Sequence, residues 1–185
     1  GDYRRLFYLQ RLGWLYFDLK QYKKAREVNQ QGYREVAEVR EAAKQIYLPR
    51  ELRYWEGLFT GQIAQCNMQL GEFRRVIPML LFDIKSSADN PDNQIVKLIL
   101  LARTYLHDER RADAKKQLDR ARFMMAQKVI QPTNSMLLES YKDYYFAVRQ
   151  YDSAFYYSQA FQAYQDTINT HINRNKSILL LGQLE

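Results

Sequence analysis

The stretch LGWLYFDLKQYKKA, residues 12–25, decides the fold because its skeleton returns near the other end of the chain. The second copy reads YKDYYFAVRQYDSA, residues 141–154, at an offset of 129 positions. The matched pairs are Tyr16 and Tyr145, Phe17 and Phe146, Gln21 and Gln150, Tyr22 and Tyr151, and Ala25 and Ala154. Apart from the basic pair Lys20 and Arg149, the charged positions between them differ. An internal repeat that preserves buried positions and lets the surface vary is therefore indicated.

The composition fits one globular domain or a short repeat array. The chain has 185 residues, of which 46% are apolar and 26% charged, and its 7 glycines and 4 prolines are too few for a turn-rich β architecture. Apolar residues recur at three- and four-residue spacing almost throughout, which predicts helices. One such stripe in the first predicted helix is formed by Leu9, Leu12, Tyr16 and Leu19.

Prolines and short polar turns divide this pattern into eight predicted helices. Pro49, Pro91 and Pro132 are 42 and 41 positions apart, and each stands where a helix would open. Tighter turns are predicted at 18–22, 69–73, 107–112 and 148–151. The predicted helices run over 3–18, 22–47, 50–69, 72–86, 92–106, 110–129, 133–148 and 151–174, with the tail from Asn175 continuing the last helix or beginning another. Pro78 predicts a kink or a late start in the fourth helix.

Taken in pairs, these helices resemble the tetratricopeptide repeat (TPR) family. The landmarks are small residues on the first helix of a unit (Gly13, Ala64, Ala102), small residues facing them on the second (Ala25, Val76, Ala114, Ala154), and an aromatic residue after the turn (Tyr22, Phe73, Tyr151). The resemblance implies an all-α, right-handed superhelix of about four units, at 3–47, 50–86, 92–129 and 133–174. These units would form a domain over 1–175, followed by the truncated start of a C-terminal connecting helix at 176–185.

The fit to the TPR pattern is not perfect. Lys142 stands where a small residue belongs, and Arg111 replaces the aromatic residue after the third turn. The small landmarks of successive second helices are 51, 38 and 40 positions apart, longer than the family's repeat of about 34. An extended second and third helix, or an additional turn after the first unit, would explain the longest interval.

The tail, residues 156–185, resembles the last helix of TPR arrays in membrane-tethered bacterial regulators. The matching pieces are the aromatic pair Tyr156–Tyr157, the segment YQDTI at 164–168, and a polar helix that turns apolar at Ile178. This resemblance implies the sensor or scaffold region of a membrane-bound signalling or transcriptional regulator, on the periplasmic side, excised from a longer protein. The alternative is a cytoplasmic TPR regulator that binds a short peptide, or a general assembly scaffold, which the lone Cys66 also fits.

In TPR arrays the first helix of each unit lines a concave groove, and this geometry supplies the candidate site. The residues that it directs towards the groove are Gln10, Trp14, Asp18, Gln62, Gln65, Gln69, Arg103, His107, Glu139 and Asp143. They are mostly polar, with one large aromatic residue. Trp14 either anchors a bound segment or packs against the next helix, and the sequence leaves both interpretations open.

The inventory of reactive side chains disfavours an enzyme, so no catalytic residue, metal ligand or cofactor is predicted. His107 and His171 lack a second ligand at helical spacing, and His107 at a predicted helix end favours a capping role over metal binding. Cys66 lies among small and apolar residues, which predicts a buried structural cysteine rather than a nucleophile. Met124 and Met125 are predicted to be core residues.

A net charge of +7 adds little to these expectations. The basic residues of 22–44 alternate with glutamates, as on a solvated helix face, and no nucleic-acid motif accompanies them. The predicted partner is therefore a protein or peptide, with a homodimer as an open alternative and no direct nucleic-acid binding. Any membrane contact would come through segments outside this sequence, since no window is apolar enough to span a bilayer.

Overall fold

The computed structural model of this protein describes residues 3–42, 49–126 and 133–181, and within these ranges every element of regular structure is helical. The α-helices are α1 (Tyr3–Asp18), α2 (Tyr22–Ala42), α3 (Pro49–Gln69), α4 (Val76–Ser86), α5 (Pro91–His107), α6 (Arg111–Met125), α7 (Thr133–Ala147) and α8 (Tyr151–Leu181). The all-α fold class predicted from the sequence is confirmed.

The helix boundaries follow the prolines and turns closely. A single 3₁₀ turn, Phe73–Arg75, precedes α4, so that Pro78 falls in the first turn of the α-helix. Proline is tolerated there because the first amides of a helix have no intrahelical acceptor, and the predicted late start is confirmed. Helix α8 continues past Asn175, as one of the two alternatives for the tail required. The predicted extensions to 47 and 129 lie mostly outside the described residues.

The same turn recurs between the two helices of each predicted unit. The residue in the left-handed region is Lys20, Gly71, Glu109 or Arg149, with φ between 57° and 75°. In each turn the next residue donates its backbone N–H to the carbonyl five positions back: Gln21 to Tyr16 (2.8 Å), Glu72 to Asn67 (2.8 Å), Arg110 to Tyr105 (2.8 Å) and Gln150 to Tyr145 (2.9 Å). This is the Schellman helix ending. The four turns have the 51, 38 and 40 spacing of the small landmarks.

The chain forms two compact units, one up to Met124 and one from Met125. In the first unit, α1 packs on α2, α2 on α3, α3 on α4 and α4 on α5; in the second, α7 packs on α8. The small landmarks are all buried, as the TPR pattern predicts: Gly13, Ala25, Ala64, Val76, Ala102 and Ala114 in the first unit and Ala154 in the second. Small side chains at these positions let paired helices approach closely.

The core between α1, α2 and α3 shows how that close approach is used. Leu6, Leu9, Val36, Leu52 and Phe59 form one apolar cluster. The Phe59 ring lies against Gly32 of α2, where a Cβ atom would come within 2.2 Å of the ring. The aromatic side chain therefore occupies space that any larger residue at position 32 would need.

Two details of the predicted packing are wrong. Leu12 and Leu19 are exposed, because the buried face of α1 centres on Leu6, Leu9 and Gly13 and the helix turns these two leucines towards the adjacent face. Tyr151 is also exposed and does not fill the gap after its turn. It packs edge-on against the exposed ring of Phe146, with centroids 5.8 Å apart.

A buried ion pair joins α4 to α5. Lys97 Nζ lies 3.3 Å from Asp83 Oδ2, and Asn93 donates to Asp83 Oδ1 at 2.9 Å. Burial raises the pKa of Asp83 and lowers the pKa of Lys97, while the attraction between the two charges acts in the opposite direction on each. Gly61 of α3 provides the space for this carboxylate, since a Cβ there would lie 1.8 Å from Asp83 Oδ2. Three helices thus meet at one polar contact.

Candidate functional site

The close approach of α1 and α2 places a carboxamide beside the predicted groove. Gly13 of α1 is in contact with Asn29 of α2, and a Cβ at position 13 would come within 2.7 Å of Asn29 Oδ1. Asn29 is buried, and its Nδ2 donates to the carbonyl of Ala25 at 2.8 Å. Its Oδ1 has no hydrogen-bond partner among the described residues. One acceptor is therefore left over at this point.

Helix α3 brings two more carboxamides to the same place. Gln62 and Gln65 are only 4% and 7% exposed. Both polar atoms of the Gln62 side chain, and Nε2 of Gln65, lack a partner within the part of the chain that the structure describes. With Gly13, Trp14, Phe17 and Asn29 they line a recess of about 10 Å³, which we call the carboxamide recess. A space of this size holds about one water molecule.

The chemistry of the carboxamide recess is that of hydrogen bonding without charge. Each side-chain amide carries a donor and an acceptor, as each peptide unit of a polypeptide does. A buried polar atom without a partner costs about 1–3 kcal/mol, so a group that supplies the missing hydrogen bonds is favoured. Neither a nucleophile nor an acid–base pair lines the recess, which points to binding.

Trp14 forms one wall of the recess and keeps part of its surface in solvent. It is half-buried and meets Phe17 edge-on, with ring centroids 5.9 Å apart and planes at 76°. Phe17 in turn meets Tyr22 at 5.2 Å. The indole is therefore held by neighbours on its own helix and the next, and its outer part remains available for contact.

Of the ten residues predicted to line the groove, the recess unites Trp14, Gln62 and Gln65. Gln10 on α1 is half-buried, while Asp18 and Gln69 are exposed at the C-terminal ends of α1 and α3. On α5, Arg103 is half-buried and His107 exposed; on α7, in the second unit, Glu139 is half-buried and Asp143 exposed. Whether these seven residues share a binding surface with the recess stays a prediction.

His107 is engaged by two neighbours. Its ring stacks on Phe73 with centroids 3.8 Å apart, and Nδ1 lies 3.1 Å from Asp108 Oδ1. In the described ranges, no three His, Cys, Asp or Glu side chains are grouped so that they could hold a metal ion. The residue therefore packs the end of α5 against the turn that precedes α4.

Cys66 is buried next to the recess, as predicted for a structural cysteine. Removal from water raises the pKa of its thiol from 9.0 to about 11, although Arg26, Asn29 and Lys97 favour the thiolate. A thiol with so high a pKa is almost wholly protonated at neutral pH and is a poor nucleophile.

A larger cleft of about 880 Å³ lies between the start of α1, the start of α3 and the turn from α4 to α5. Tyr54 and Trp55 provide aromatic surface, and an ion pair between Arg50 and Asp89 bridges its sides. Asn90 caps α5 through the backbone amide of Asn93 (3.1 Å). The sequence analysis missed this cleft; its only signal was the aromatic pair Tyr54–Trp55 next to a predicted helix start.

The comparisons with known proteins agree with this geometry. No protein-family model matches the chain, and no curated protein matches it. Two solved structures of a putative kinesin light chain with nearly identical TPR-like repeats, from Podosopora anserina, superpose with a TM-score of 0.62 at 18% and 17% identity, covering 88% of this chain and 76% of theirs. BtubC (BKLC) from P. vanneervenii superposes with a TM-score of 0.67 at 14% identity, covering 89% of this chain and 64% of that protein.

These neighbours define the class to which the fold belongs: a TPR-like helical repeat. The predicted family resemblance is confirmed at the level of fold. Within the described ranges, no helix combines the length and the apolar character that crossing a bilayer requires.

Proposed function

We propose that this chain is a non-catalytic interaction domain that binds an extended segment of a partner protein at the carboxamide recess. The observation that carries the proposal is the set of buried carboxamide atoms of Asn29, Gln62 and Gln65 that lack partners beside the accessible edge of Trp14. An extended peptide presents an N–H and a C=O at every residue, which matches these donors and acceptors. The recess is too small for a side chain, so a main-chain group fits it best.

Trp14 would add the apolar part of the recognition. Tryptophan is the residue most often found as an energetic anchor in protein interfaces, since it buries a large area at a small cost in side-chain entropy. A peptide whose backbone bonds to the recess would place the neighbouring side chain against the indole. The proposal therefore predicts specificity for an apolar or aromatic residue next to the bonded peptide unit.

The test is a selection of displayed random peptides on the wild-type chain, followed by affinity measurements on variants. We expect Gln65→Leu and Trp14→Ala each to weaken the selected peptides by at least about tenfold, since a lost buried hydrogen bond or anchor costs more than about 1.4 kcal/mol. Gln69→Ala, an exposed position on the same helix, is the matched control and should change nothing. Methylating the peptide nitrogen that enters the recess should also abolish binding.

Selected peptides that bind the Gln65→Leu and Trp14→Ala variants as tightly as the wild type would contradict the proposal. So would peptides that tolerate N-methylation at every position, because the carboxamides would then read no main-chain donor. Trp14 can be followed by fluorescence after Trp55→Phe, since the chain has two tryptophans.

A finer proposal concerns the protein in which the domain works. The tail at 156–185 supports the sensor or scaffold region of a bacterial membrane-bound regulator, in which binding at the groove changes the arrangement of the last helix. A membrane span and an output module encoded after Glu185 are required by this proposal. A reporter fusion active only in the cytoplasm would favour the alternative, a cytoplasmic TPR regulator or scaffold.

A further inference from the structure

The outer face of α1 carries an apolar stripe that the core does not use. Tyr8, Leu12, Leu15 and Leu19 are 70%, 39%, 54% and 56% exposed. Their spacing of four, three and four residues is the heptad spacing of a coiled-coil seam. We call these four residues the outer stripe. Single exposed apolar residues are ordinary on protein surfaces, but four aligned along one helix form a contact surface.

The outer stripe lies on a different side of α1 from both the core and the carboxamide recess. Leu6, Leu9 and Gly13 define the buried face, and Trp14 lies beyond that face as seen from the stripe. A helix bound to the stripe would therefore leave the recess open. The inference below is independent of the proposed peptide site.

The charges beside the outer stripe are basic. Helix α1 contains Arg4, Arg5 and Arg11 against one acidic residue, Asp18. Arg4 and Arg11 lie along one edge of the stripe, and the Arg11 guanidinium is 5.3 Å from the centre of the Phe7 ring. Arg5 lies along the other edge, and its side chain reaches Glu35 at 2.9 Å while remaining mostly in solvent. Arginine is thus present at both edges.

From this geometry we propose that the outer stripe is the docking site of an acidic amphipathic helix from a partner protein. The leucines would interlock with heptad-spaced apolar residues of the partner, and Arg4 and Arg11 would face glutamates at its flanking positions. Repeat arrays need a covered or polar face at each end, and the first helix described here has an apolar one.

Two other occupants fit less well. A second copy of this chain would bring two α1 helices together, each with three arginines and one aspartate, and like charges would oppose the contact. A bilayer surface favours a helix whose apolar face is broad and sinks several ångströms into the headgroup region, whereas this stripe is about one residue wide.

The proposal can be tested with a designed peptide of about three heptads that carries leucine at the a and d positions and glutamate at e and g. We expect the wild-type chain to bind it at low salt in a fluorescence anisotropy titration. The double variant Leu12→Ser/Leu15→Ser should weaken binding by at least about tenfold, and so should Arg4→Glu/Arg11→Glu. Leu81→Ser, at a similarly exposed leucine on α4, should bind normally. Unchanged circular dichroism and melting temperature would show that the variants remain folded.

The controls decide against the proposal in three ways. The same peptide with lysine at e and g should not bind, and equal affinity for both peptides would overturn the choice of an acidic partner. A dimer in sedimentation of the wild type that the leucine variant abolishes would assign the stripe to a second copy. Cosedimentation with phosphatidylcholine–phosphatidylserine vesicles that depends on Leu12 and Leu15 would assign it to a membrane.

Discussion

Two regions of the first unit bury polar side chains, and they differ in whether those side chains find partners. At the contact of α3, α4 and α5, the carboxylate of Asp83 is flanked by Lys97 and Asn93. At the contact of α1, α2 and α3, the carboxamides of Gln62 and Gln65 retain polar atoms with no partner among the described residues. Cys66 of α3 lies between the two regions and is influenced by Lys97 and by Asn29 of the recess.

The comparison separates two uses of buried polarity. A buried charge with its counter-ion is costly to disrupt and ties three helices to one arrangement. Buried amides that the fold leaves without partners destabilise the folded state slightly and are retained where a ligand supplies the bonds. The first region is therefore interpreted as structural and the second as the place where a partner binds.

The largest effect should come from breaking the ion pair. Lys97→Met leaves Asp83 as a buried carboxylate without its counter-ion, and the loss of one partner of a buried pair costs about 3–5 kcal/mol. Chemical denaturation measures the change in the free energy of unfolding, with far-UV circular dichroism to follow the helices.

The double variant Asp83→Asn/Lys97→Met is the matched control, because it removes both charges and keeps the side-chain volumes similar. It should recover at least half of the loss. If Lys97→Met alone were as stable as the wild type, the pair would contribute nothing to the fold and the contrast between the two regions would be lost.

Two glycines sharpen the comparison at a smaller scale. Gly61→Ala would place a Cβ 1.8 Å from Asp83 Oδ2, whereas Gly13→Ala would place one 2.7 Å from Asn29 Oδ1. Asp83 is held by two neighbours and cannot move away, so Gly61→Ala should lower the free energy of unfolding by about 1–3 kcal/mol despite the better helix propensity of alanine.

The side chain of Asn29 is held by one hydrogen bond to Ala25 and can shift within the recess. Gly13→Ala should therefore cost clearly less than Gly61→Ala, as thermal melts of the two variants would show. The reverse order would mean that the recess is packed more rigidly than the ion-pair contact.

The fold was predictable because repetition is a property of the sequence itself. The small residues Gly13, Ala64 and Ala102 and the turns at 18–22, 69–73, 107–112 and 148–151 all lie where the TPR pattern places them. The turn geometry was only partly predictable. Gly71 announces a left-handed residue, but Lys20, Glu109 and Arg149 adopt the same conformation with no glycine to signal it.

The candidate site was predictable only in part. Helix register assigned Gln62 and Gln65 to the groove, but their burial depends on how closely α2 approaches α1, which Asn29 and Gly13 decide from another helix. The ion pair had a signal that was not used: Asp83 and Lys97 each interrupt a run of apolar residues. A charge inside such a run predicts a buried partner, although not which one.

Cys66 provides a pH-dependent test of the region between the two sites. The pKa of its thiol is raised from 9.0 to about 11 in the folded chain, so the folded state binds the proton more tightly than the unfolded state. The associated stability is fully present below about pH 9 and is lost as the pH rises towards about 11. Between about pH 9 and pH 10.5 we expect a loss of about 1–2 kcal/mol that is absent in Cys66→Ala.

The measurement is the difference between the wild-type and Cys66→Ala unfolding curves across this pH range, since tyrosines and lysines titrate in both proteins. Parallel curves would show that the thiol ionises as easily in the folded chain as in the unfolded one. The thiol should also react with iodoacetamide far more slowly in the folded protein than in denaturant at about pH 8.

The smallest change in stability should come from the recess itself. Gln62→Leu removes two buried polar atoms that have no partner in the described structure and replaces them with an apolar side chain of similar volume. Because no internal hydrogen bond is lost, we expect the free energy of unfolding to stay the same or to rise by up to about 1 kcal/mol, as denaturant titration would measure. The same variant should lose affinity for selected peptides, so that stability and binding change independently. A loss of more than about 1 kcal/mol would instead mean that Gln62 is bonded in the folded chain, and the recess would then be part of the structural core like the pair of Asp83 and Lys97.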